Sequence, residues 1–309
     1  MLDVETFLTT LYVVIDEFAK AQWPSTPAPQ VGRRGRLSLS EVLTLAVFGQ
    51  WSGFASQRAF YRYAQRHLRA AFPGLPARSQ LNRATRAAEA ALSQLGPYLA
   101  AELGAELEPY EVLDSTGLVV RDSRRRGRSW LAGQANLGRC TRVGWYYGLH
   151  ALTCCTRTGV ITGSGLAPAS TNDQRLAQTF FQARQTQPLR LPGVGRPAAG
   201  SYVADTGFDR PATPQFWPQQ CGAQVVSMPY RNQRRWPRAR RRWLAGLRQI
   251  VESVHAKLLH TCGLARERPH ALDGIQARFA AAVGLHNFCC WLNRQLGRPL
   301  LAFAELLDW

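Results

Sequence analysis

Lysine is scarce in this sequence, and the patterns that define several other protein classes are missing from it. Of its 38 lysine and arginine residues, only Lys20 and Lys257 are lysines. The seven cysteines contain no C-x-x-C pair, which excludes zinc-ribbon spacing, and their odd number favours thiols in a reducing cytoplasm. No apolar run reaches the ~18–20 residues that span a bilayer, and the N-terminus lacks the positive segment of a signal peptide. We therefore expect a soluble, cytoplasmic protein without a membrane partner.

Positive charge is what the chain has in excess. Its 309 residues carry a net charge of +18, and the sequence pI is about 10.6. A hydrophobic content of 46% is enough for a sizeable globular core. Arginine forms bidentate contacts with phosphate, although a GC-rich coding bias would produce the same excess of arginine over lysine. Because no membrane segment is predicted, the charge indicates a nucleic-acid partner.

The first third of the sequence has helical periodicity. Apolar spacing predicts helices over residues 3–22, 40–51 and 57–72, a fourth from Ser79, and a last one before Pro109. Ser38 and Glu41 form a predicted capping box at the start of the second helix. Arginines on several helical faces fit either a solubilised α-bundle or a helical DNA-binding domain. The net charge favours the second interpretation, so we assign residues 1–108 to an all-α DNA-binding domain.

After Pro109 the pattern changes to short apolar runs that alternate with helices. The predicted strands cover residues 112–120, 145–155, 160–166, 201–205 and 223–228. One predicted helix ends near Arg184, and three more cover residues 243–260, 271–296 and 299–308. This order indicates an α/β domain with a mixed sheet over residues 109–309. Pro237 lies within the basic stretch 231–242, which we predict to be a loop as far as Trp243.

Three carboxylates stand out on these elements. Asp114 lies in the first apolar strand, Asp205 ends the fourth, and Glu252 lies beside the apolar stripe of the long helix. Each alone has a structural explanation, respectively a local turn, a strand end, or an ion pair with Arg248. Together they can converge on one or two divalent metals, for which oxygen ligands suit Mg²⁺ or Mn²⁺. Such a site activates the attacking water or hydroxyl and stabilises the leaving oxygen of a phosphodiester.

With these acids in this order, the sequence resembles bacterial insertion-sequence transposases of the D-D-E class. Within that class it is most similar to the insertion-sequence nine-eighty-two family, and the resemblance covers nearly the whole chain. The matching pieces are residues 39–46, 60–63, 75–83, 113–115, 144–150, 204–208, 248–252 and 281–292. The Asp-Thr-Gly piece after residue 204 and the Arg-x-x-x-Glu piece are specific mainly in combination.

The resemblance implies a ribonuclease-H-like catalytic domain preceded by an all-α domain, with Asp114, Asp205 and Glu252 as the catalytic, metal-binding triad. It implies Mg²⁺ as cofactor, with Mn²⁺ as a substitute and two ions in the site. The implied partner is double-stranded DNA, comprising terminal inverted repeats and target DNA. The implied assembly is a homodimer on that DNA, associated with the nucleoid of a bacterium.

Basic and aromatic side chains near the triad are the predicted DNA contacts. They are Arg124, Arg125, Arg126, Arg231, Arg234, Arg235, Trp236, Arg238, Arg248 and His255. Arginines clamp phosphates, and an interleaved tryptophan can stack on a base. Two positions depart from the family pattern, because a tyrosine is replaced by Ala245 and a basic residue by Leu259. These departures leave the helper cations beside the triad open.

Other interpretations remain for single residues and for the whole chain. We expect His150 to be a core or edge histidine and Asp173 a helix N-cap, with a role as a fourth acid at the metals less favoured. The leading function is a transposase that cleaves at transposon ends and joins the freed 3′-hydroxyl to target DNA. The alternatives are a nuclease of the same fold that does not join strands and a domesticated DNA-binding protein.

Overall fold

The computed structural model describes residues 1–23, 37–51, 53–121, 131, 133–186, 200–208, 215–227, 236–266 and 270–308. The chain divides into two compact units. One contains residues 1–99, 258–267 and 271–309, and the other contains residues 100–257 and 268–270. Among the helices that these ranges describe, none is long and apolar enough to cross a membrane.

The first unit is helical. It contains α1 (Val4–Gln22), α2 (Leu39–Phe48), α3 (Gln57–His67), α4 (Arg78–Ala87), most of α5 (Glu89–Glu102) and α9 (Leu272–Gln295). The predicted helices of the first third are confirmed. The predicted capping box is present, since the Glu41 amide donates to Ser38 Oγ at 3.2 Å and the Ser38 amide donates to Glu41 Oε2 at 2.6 Å. These bonds satisfy amides at a helix start that have no partner within the helix.

Helix α9 lies in the core of this unit, since every residue from Phe279 to Cys290 is buried and these residues cover all sides of the helix. Phe288 of α9 meets Phe7 of α1 edge to face, with ring centroids 5.3 Å apart. The Asn287 amide donates to the Gly96 carbonyl at 2.8 Å, which satisfies a polar group inside the core. The compact unit thus joins α9 to the N-terminal helices, whereas the predicted division grouped it with the sheet.

The prediction of a helix over residues 299–308 is wrong. This segment forms turns, and Leu2 and Leu307 form an isolated β-bridge. Its carbonyls accept hydrogen bonds from backbone amides in turns and from side chains. Asn293 donates to the carbonyls of Leu300 and Ala302, and Arg298 donates to the carbonyl of Glu305.

The second unit is built on a mixed sheet. Its strands are β1 (Glu111–Arg121), β2 (Asn136–Cys140), β3 (Gly144–Thr156), β4 (Ile161–Pro168), β5 (Ser201–Ala204) and β6 (Gln224–Ser227). The order is β2-β3-β1-β5-β6, and β4 also pairs with β3. Strands β1 and β3 are antiparallel, while β5 is parallel to both β1 and β6. The predicted mixed α/β architecture is confirmed.

Strand β2 was not predicted from the sequence. It has only five residues, with the polar Asn136 at one end and Gly138 in the middle, so it has no clear alternation. Gly138 is required by close packing, since a Cβ there would lie 2.4 Å from the Ala169 carbonyl oxygen. The strand is therefore specified by its neighbours and not by its own propensity.

Helices cover the sheet of the second unit. They are α6 (Asp173–Thr186), α7 (Phe216–Cys221) and α8 (Arg238–Ala256), which continues as a π-turn over Lys257–Thr261. Phe181 of α6 and Trp217 of α7 pack with Leu113 and Tyr202 in one buried cluster. The long helix begins at Arg238 and not near Trp243, so the predicted loop is too long. Pro237 occupies the N-cap, where its fixed φ of −53° and missing amide hydrogen are compatible with a helix start.

Candidate active site

Asp114 and Asp205 are brought side by side by two parallel strands. The register of β1 and β5 pairs Val112 with Val203 and Leu113 with Ala204. Asp114 follows Leu113, and Asp205 follows Ala204, so the two acids lie next to each other across the strand pair. On the opposite side of β1, Asp114 pairs with Thr153 of β3. The sheet thus fixes the backbone of both acids, and neither depends on a long loop for its position.

The environment of Asp114 opposes its ionisation. The pKa of Asp114 is raised to about 7, mainly by burial and in smaller part by the nearby negative charges of Asp205 and Asp173. A hydrogen bond from the Ser115 amide and the charge of Arg248 lower it only in part. A buried carboxylate beside other carboxylates lacks a compensating charge, and an added cation would supply it.

Glu252 reaches this region from α8 together with Arg248. Arg248 Nη2 lies 3.3 Å from Asp205 Oδ2 and 3.6 Å from Glu252 Oε1. Four residues separate Arg248 from Glu252, so both side chains leave the same side of the helix. One guanidinium therefore joins the carboxylate at the end of β5 to the carboxylate on α8. The Glu252 side chain is 60% exposed, which leaves it accessible to a ligand.

His255 lies deeper on α8, and its burial argues against the predicted phosphate contact. Its Nε2 and Thr153 Oγ1 are 2.6 Å apart, and its Nδ1 is 3.9 Å from Asp114 Oδ2. Burial lowers the pKa of His255 to about 4, with smaller contributions from Arg142 and His150. The ring is consequently neutral near pH 7 and cannot serve as a helper cation. Its contacts suit it to fix Asp114 in place from the helix side.

Asp173 is a neighbour of the site that the sequence interpretation placed elsewhere. Asn172, and not Asp173, caps α6, because Asn172 Oδ1 accepts from the Arg175 amide at 2.8 Å. Asp173 Oδ1 instead accepts from Ser115 Oγ at 2.6 Å, next to Asp114. It also lies 3.6 Å from Nε2 of His150. The Ser–Thr step after Asp114 was the available signal, since a hydroxyl there can hold a second acid.

The glycine of the Asp205-Thr-Gly step has a role in this packing. A Cβ at Gly207 would lie 2.6 Å from Asp173 Oδ2, so a larger residue would displace Asp173 or the turn. The Thr206 amide donates to Asp205 Oδ1 at 2.5 Å, which orients that carboxylate. The three-residue step therefore positions Asp205 and makes room for Asp173 together.

The donor set fits a divalent metal, although the site is not a closed cage. Across the residues that the structure describes, no three His, Cys, Asp or Glu side chains are already arranged around one point. Asp114 and Asp205 are nevertheless level where β1 and β5 pair, and burial together with the charge of Asp205 raises the pKa of Asp114. Carboxylate oxygens are the ligands that Mg²⁺ and Mn²⁺ prefer. Arg248 contacts the carboxylates of Asp205 and Glu252, which brings Glu252 close to this pair of acids.

Six of the ten predicted DNA contacts lie in segments between the described residues. Arg124, Arg125, Arg126, Arg231, Arg234 and Arg235 lie outside the described residues. Arg238 is the first residue of α8 and is exposed. Trp236 lies just before the helix, and the guanidinium carbon of Arg240 stands 3.7 Å from the centroid of its ring. Arg240 therefore covers one face of the indole that was predicted to stack on a base.

The strand order, with one acid on the central strand and a second beside it on the parallel neighbour, defines a ribonuclease-H-like α/β fold. Comparison with known families then identifies the chain further. The model of the transposase DDE domain matches residues 112–288, more than half of the sequence, and the chain belongs to this family. No curated protein and no solved structure matches it.

The match confirms the predicted insertion-sequence DDE transposase, and the more specific nine-eighty-two family stays a prediction. Members of the DDE family generally act on DNA and use divalent metal ions. The matched segment begins within β1, two residues before Asp114, and ends within α9, so it contains all three candidate acids.

Proposed function

We propose that this transposase binds the terminal inverted repeats of its element, hydrolyses the phosphodiester at each end, and joins the freed 3′-hydroxyl to target DNA. The observation that carries the proposal is the level placement of Asp114 and Asp205 on parallel strands. Both steps are in-line phosphoryl transfers, so one set of carboxylates can serve both.

Asp114, Asp205 and Glu252 are the proposed ligands of Mg²⁺, or of Mn²⁺ in its place, in a site for two ions. When bound, these ions would polarise the phosphodiester and stabilise the attacking and leaving oxygens. The sheet fixes the backbone of Asp114, and His255 Nδ1 lies 3.9 Å from its carboxylate. Arg248 would exchange one of its carboxylate contacts for a DNA phosphate, since arginine binds both groups in the same geometry.

The start of α8 supports a DNA-binding role for this edge of the second unit. Arg238, Arg240, Arg241 and Arg242 are exposed there, and the first turn contains no acid. The N-terminus of a helix already carries partial positive charge, so clustered arginines are unfavourable unless an anion lies against them. DNA phosphates supply that anion. Residues 1–108 are proposed as a second DNA-binding region, and the proposed complex contains two copies of the chain.

Two alternatives make different predictions for the same experiment. A nuclease of this fold would cleave DNA without joining it, and a domesticated DNA-binding protein would do neither. The intact set of three acids favours an enzyme over the second alternative.

The test uses the genomic DNA that flanks the coding sequence, incubated with the purified protein and Mn²⁺. Cleavage positions are mapped first. Oligonucleotides precut at the mapped positions are then mixed with plasmid target DNA. Joined products that require the 3′-hydroxyl support the transposase, cleavage without joining supports the nuclease, and DNA binding without turnover supports the domesticated protein. Asp205→Asn should give neither product, and the exposed-surface control Glu17→Gln should give both.

A further inference from the structure

A stretch of the first unit has no acidic residue at all. Residues 54–88 contain no aspartate or glutamate, whereas they contain seven arginines: Arg58, Arg62, Arg66, Arg69, Arg78, Arg83 and Arg86. This stretch includes α3 and α4 in full. Two consecutive helices that carry arginines and no acids produce a positive electrostatic potential, which is typical of a surface that binds a polyanion.

Helix α4 has a narrow buried side and a wide polar side. Leu81 and Thr85 are its buried residues. At ~100° per residue, Arg83 projects about 200° away from Leu81, and Ser79 and Gln80 lie beside Arg83 on that outer face. All three outward residues are exposed. They lie in the first two turns of the helix, and their side chains are of types that read the edges of bases.

Helix α3 and the α3–α4 connection hold α4 in place. Tyr61 of α3 donates its hydroxyl hydrogen to the Pro76 carbonyl at 2.9 Å, one residue before the N-cap of α4. Gln80 Oε1 accepts from the Ala77 amide at 3.3 Å, which closes the helix start and leaves the Gln80 amide group as a donor. At the other end, Arg86 pairs with Asp273 of α9 at 3.6 Å, so this arginine is directed toward its own unit.

We propose that α4 enters the major groove of duplex DNA and reads its sequence through Arg83, Gln80 and Ser79, while α3 contacts the phosphate backbone. A major groove about 12 Å wide admits one α-helix, and recognition helices contact bases with their N-terminal residues. The exposed arginines of α3 repeat every four residues, at Arg58, Arg62 and Arg66, so they form one row along the helix. The partner class, duplex DNA, rests on the proposed function, but the assignment of base and phosphate contacts does not.

The first experiment is selection from a duplex library with a randomised 30-base-pair segment, using the full-length protein. Wild-type protein should enrich a defined motif that contains at least one guanine read by Arg83. Arg83→Ala should lose the preference at that position by about 5- to 150-fold, the range of a bidentate contact. Arg83→Lys keeps the charge but not the two-pronged geometry, so it should also lose the preference while retaining most of its affinity for unrelated DNA.

The second experiment separates the two helices by salt dependence. Arg62→Ala should weaken binding to every sequence alike and reduce the slope of log affinity against log salt by about 0.9, as expected for one lost phosphate contact. Arg294→Ala removes the same charge from an exposed position on α9. It is the matched control, and it should leave both the motif and the slope unchanged.

The proposal is overturned if Arg83→Ala and Arg83→Lys enrich the wild-type motif with unchanged preferences, or if Arg294→Ala changes binding as much as Arg62→Ala does. Failure of the proposed function has a different signature. In that case the motif is selected and shifted by Arg83 variants, but no metal-dependent cleavage or joining occurs. Circular dichroism and the melting temperature of each variant verify that the helical unit is still folded.

Discussion

Strand β1 carries two largely buried acids that have opposite environments, Glu111 at its start and Asp114 three residues later. Arg184 of α6 contacts both oxygens of Glu111, at 2.7 and 3.3 Å, and the hydroxyl of Thr162 donates to the same carboxylate. Burial alone would raise the pKa of Glu111, but Arg184 holds it below its usual value. Asp114, in contrast, has carboxylates for neighbours and a raised pKa.

The two acids differ in whether the fold itself supplies a positive partner, and this distinguishes a structural acid from a candidate ligand. A buried charge is tolerated when its partner is part of the fold, and Glu111 has that partner in Arg184. Among the residues that the structure describes, no arginine or lysine forms an ion pair with Asp114, since Arg248 contacts Asp205 and Glu252. An acid that the fold leaves under-compensated, directly after the parallel pairing of two strands, is a candidate ligand for an external cation.

The largest expected effect is on catalysis. Asp114→Asn, Asp205→Asn and Glu252→Gln should each lower metal-dependent cleavage by a factor on the order of 10³ or more, because several kcal/mol of transition-state stabilisation come from the metals. DNA binding, measured by gel shift, should stay within a few-fold of wild type. A single variant that cleaves at nearly the wild-type rate in Mg²⁺ would remove its residue from the triad. Glu17→Gln, on the exposed side of α1, is the control.

The second effect is on stability, and it tests whether Arg184 compensates the charge of Glu111. Arg184→Met should lower the free energy of unfolding by about 3–5 kcal/mol, since it leaves a buried carboxylate without a partner. The double variant Arg184→Met with Glu111→Gln should recover part of the loss, because no uncompensated charge remains. Urea unfolding measures both. An Arg184→Met protein as stable as wild type would mean that Glu111 is hydrated and not compensated by Arg184.

The third effect is a pH dependence of opposite sign for the two acids, measured in EDTA. The folded pKa of Asp114, about 7, exceeds the unfolded value of about 3.9, so ionisation destabilises the fold as the pH rises from about 4 to 7. Asp114→Asn should therefore be more stable than wild type at pH 8, by about 1–4 kcal/mol, and equal to it near pH 4.

Glu111 should show the reverse. Its folded pKa is lowered, so its ionised form stabilises the fold above the unfolded pKa of about 4.3, and this stabilisation is lost as the pH falls through the folded pKa. Glu111→Gln should be less stable than wild type at pH 8, with a difference that shrinks toward pH 3. Equal signs for the two variants at pH 8 would contradict the contrast between the acids.

The smallest effect extends the comparison to cations. Arg184 has its carboxylate within the fold, whereas Arg238 is exposed at the start of α8. Arg238→Ala should leave stability unchanged, weaken DNA binding, and lower the slope of log affinity against log salt by about 0.9.

Trp236→Ala should weaken DNA binding at low and high salt alike, because stacking worth ~1–3 kcal/mol per base is not a screened charge interaction. Full binding by Trp236→Ala at every salt concentration would leave the indole as a support for Arg240.

Five of the six strands described in the sheet, and the elements that carry the three candidate acids, could be predicted from the sequence because each depends on local pattern. β1 has apolar residues on both sides of the Asp114 to Gly117 segment, and Asp205 directly follows the four-residue strand β5. The sequence predicted that the acids can converge, and the pairing of β5 with β1 places Asp114 and Asp205 level with each other.

What could not be predicted depends on tertiary contacts. The burial of His255 follows from its contact with Thr153, which is 102 residues away in the sequence. The acceptor role of Asp173 depends on Ser115, and α9 joins the helical unit through contacts with distant aromatic residues such as Phe7. Pro237 was interpreted as a helix breaker, but a proline at a helix start is favourable, and only the backbone position distinguishes the two cases.

The most direct test of the central claim is Mn²⁺ binding at pH 7.5 in the absence of DNA, followed by the electron paramagnetic resonance signal of unbound Mn²⁺. Wild-type protein and Glu17→Gln should bind Mn²⁺ with the same affinity, and both should release it to excess Mg²⁺. Asp114→Asn and Asp205→Asn, shown to be folded by circular dichroism, should lose at least one bound ion. Wild-type Mn²⁺ affinity and stoichiometry in both asparagine variants would contradict the assignment of these two acids as the metal site.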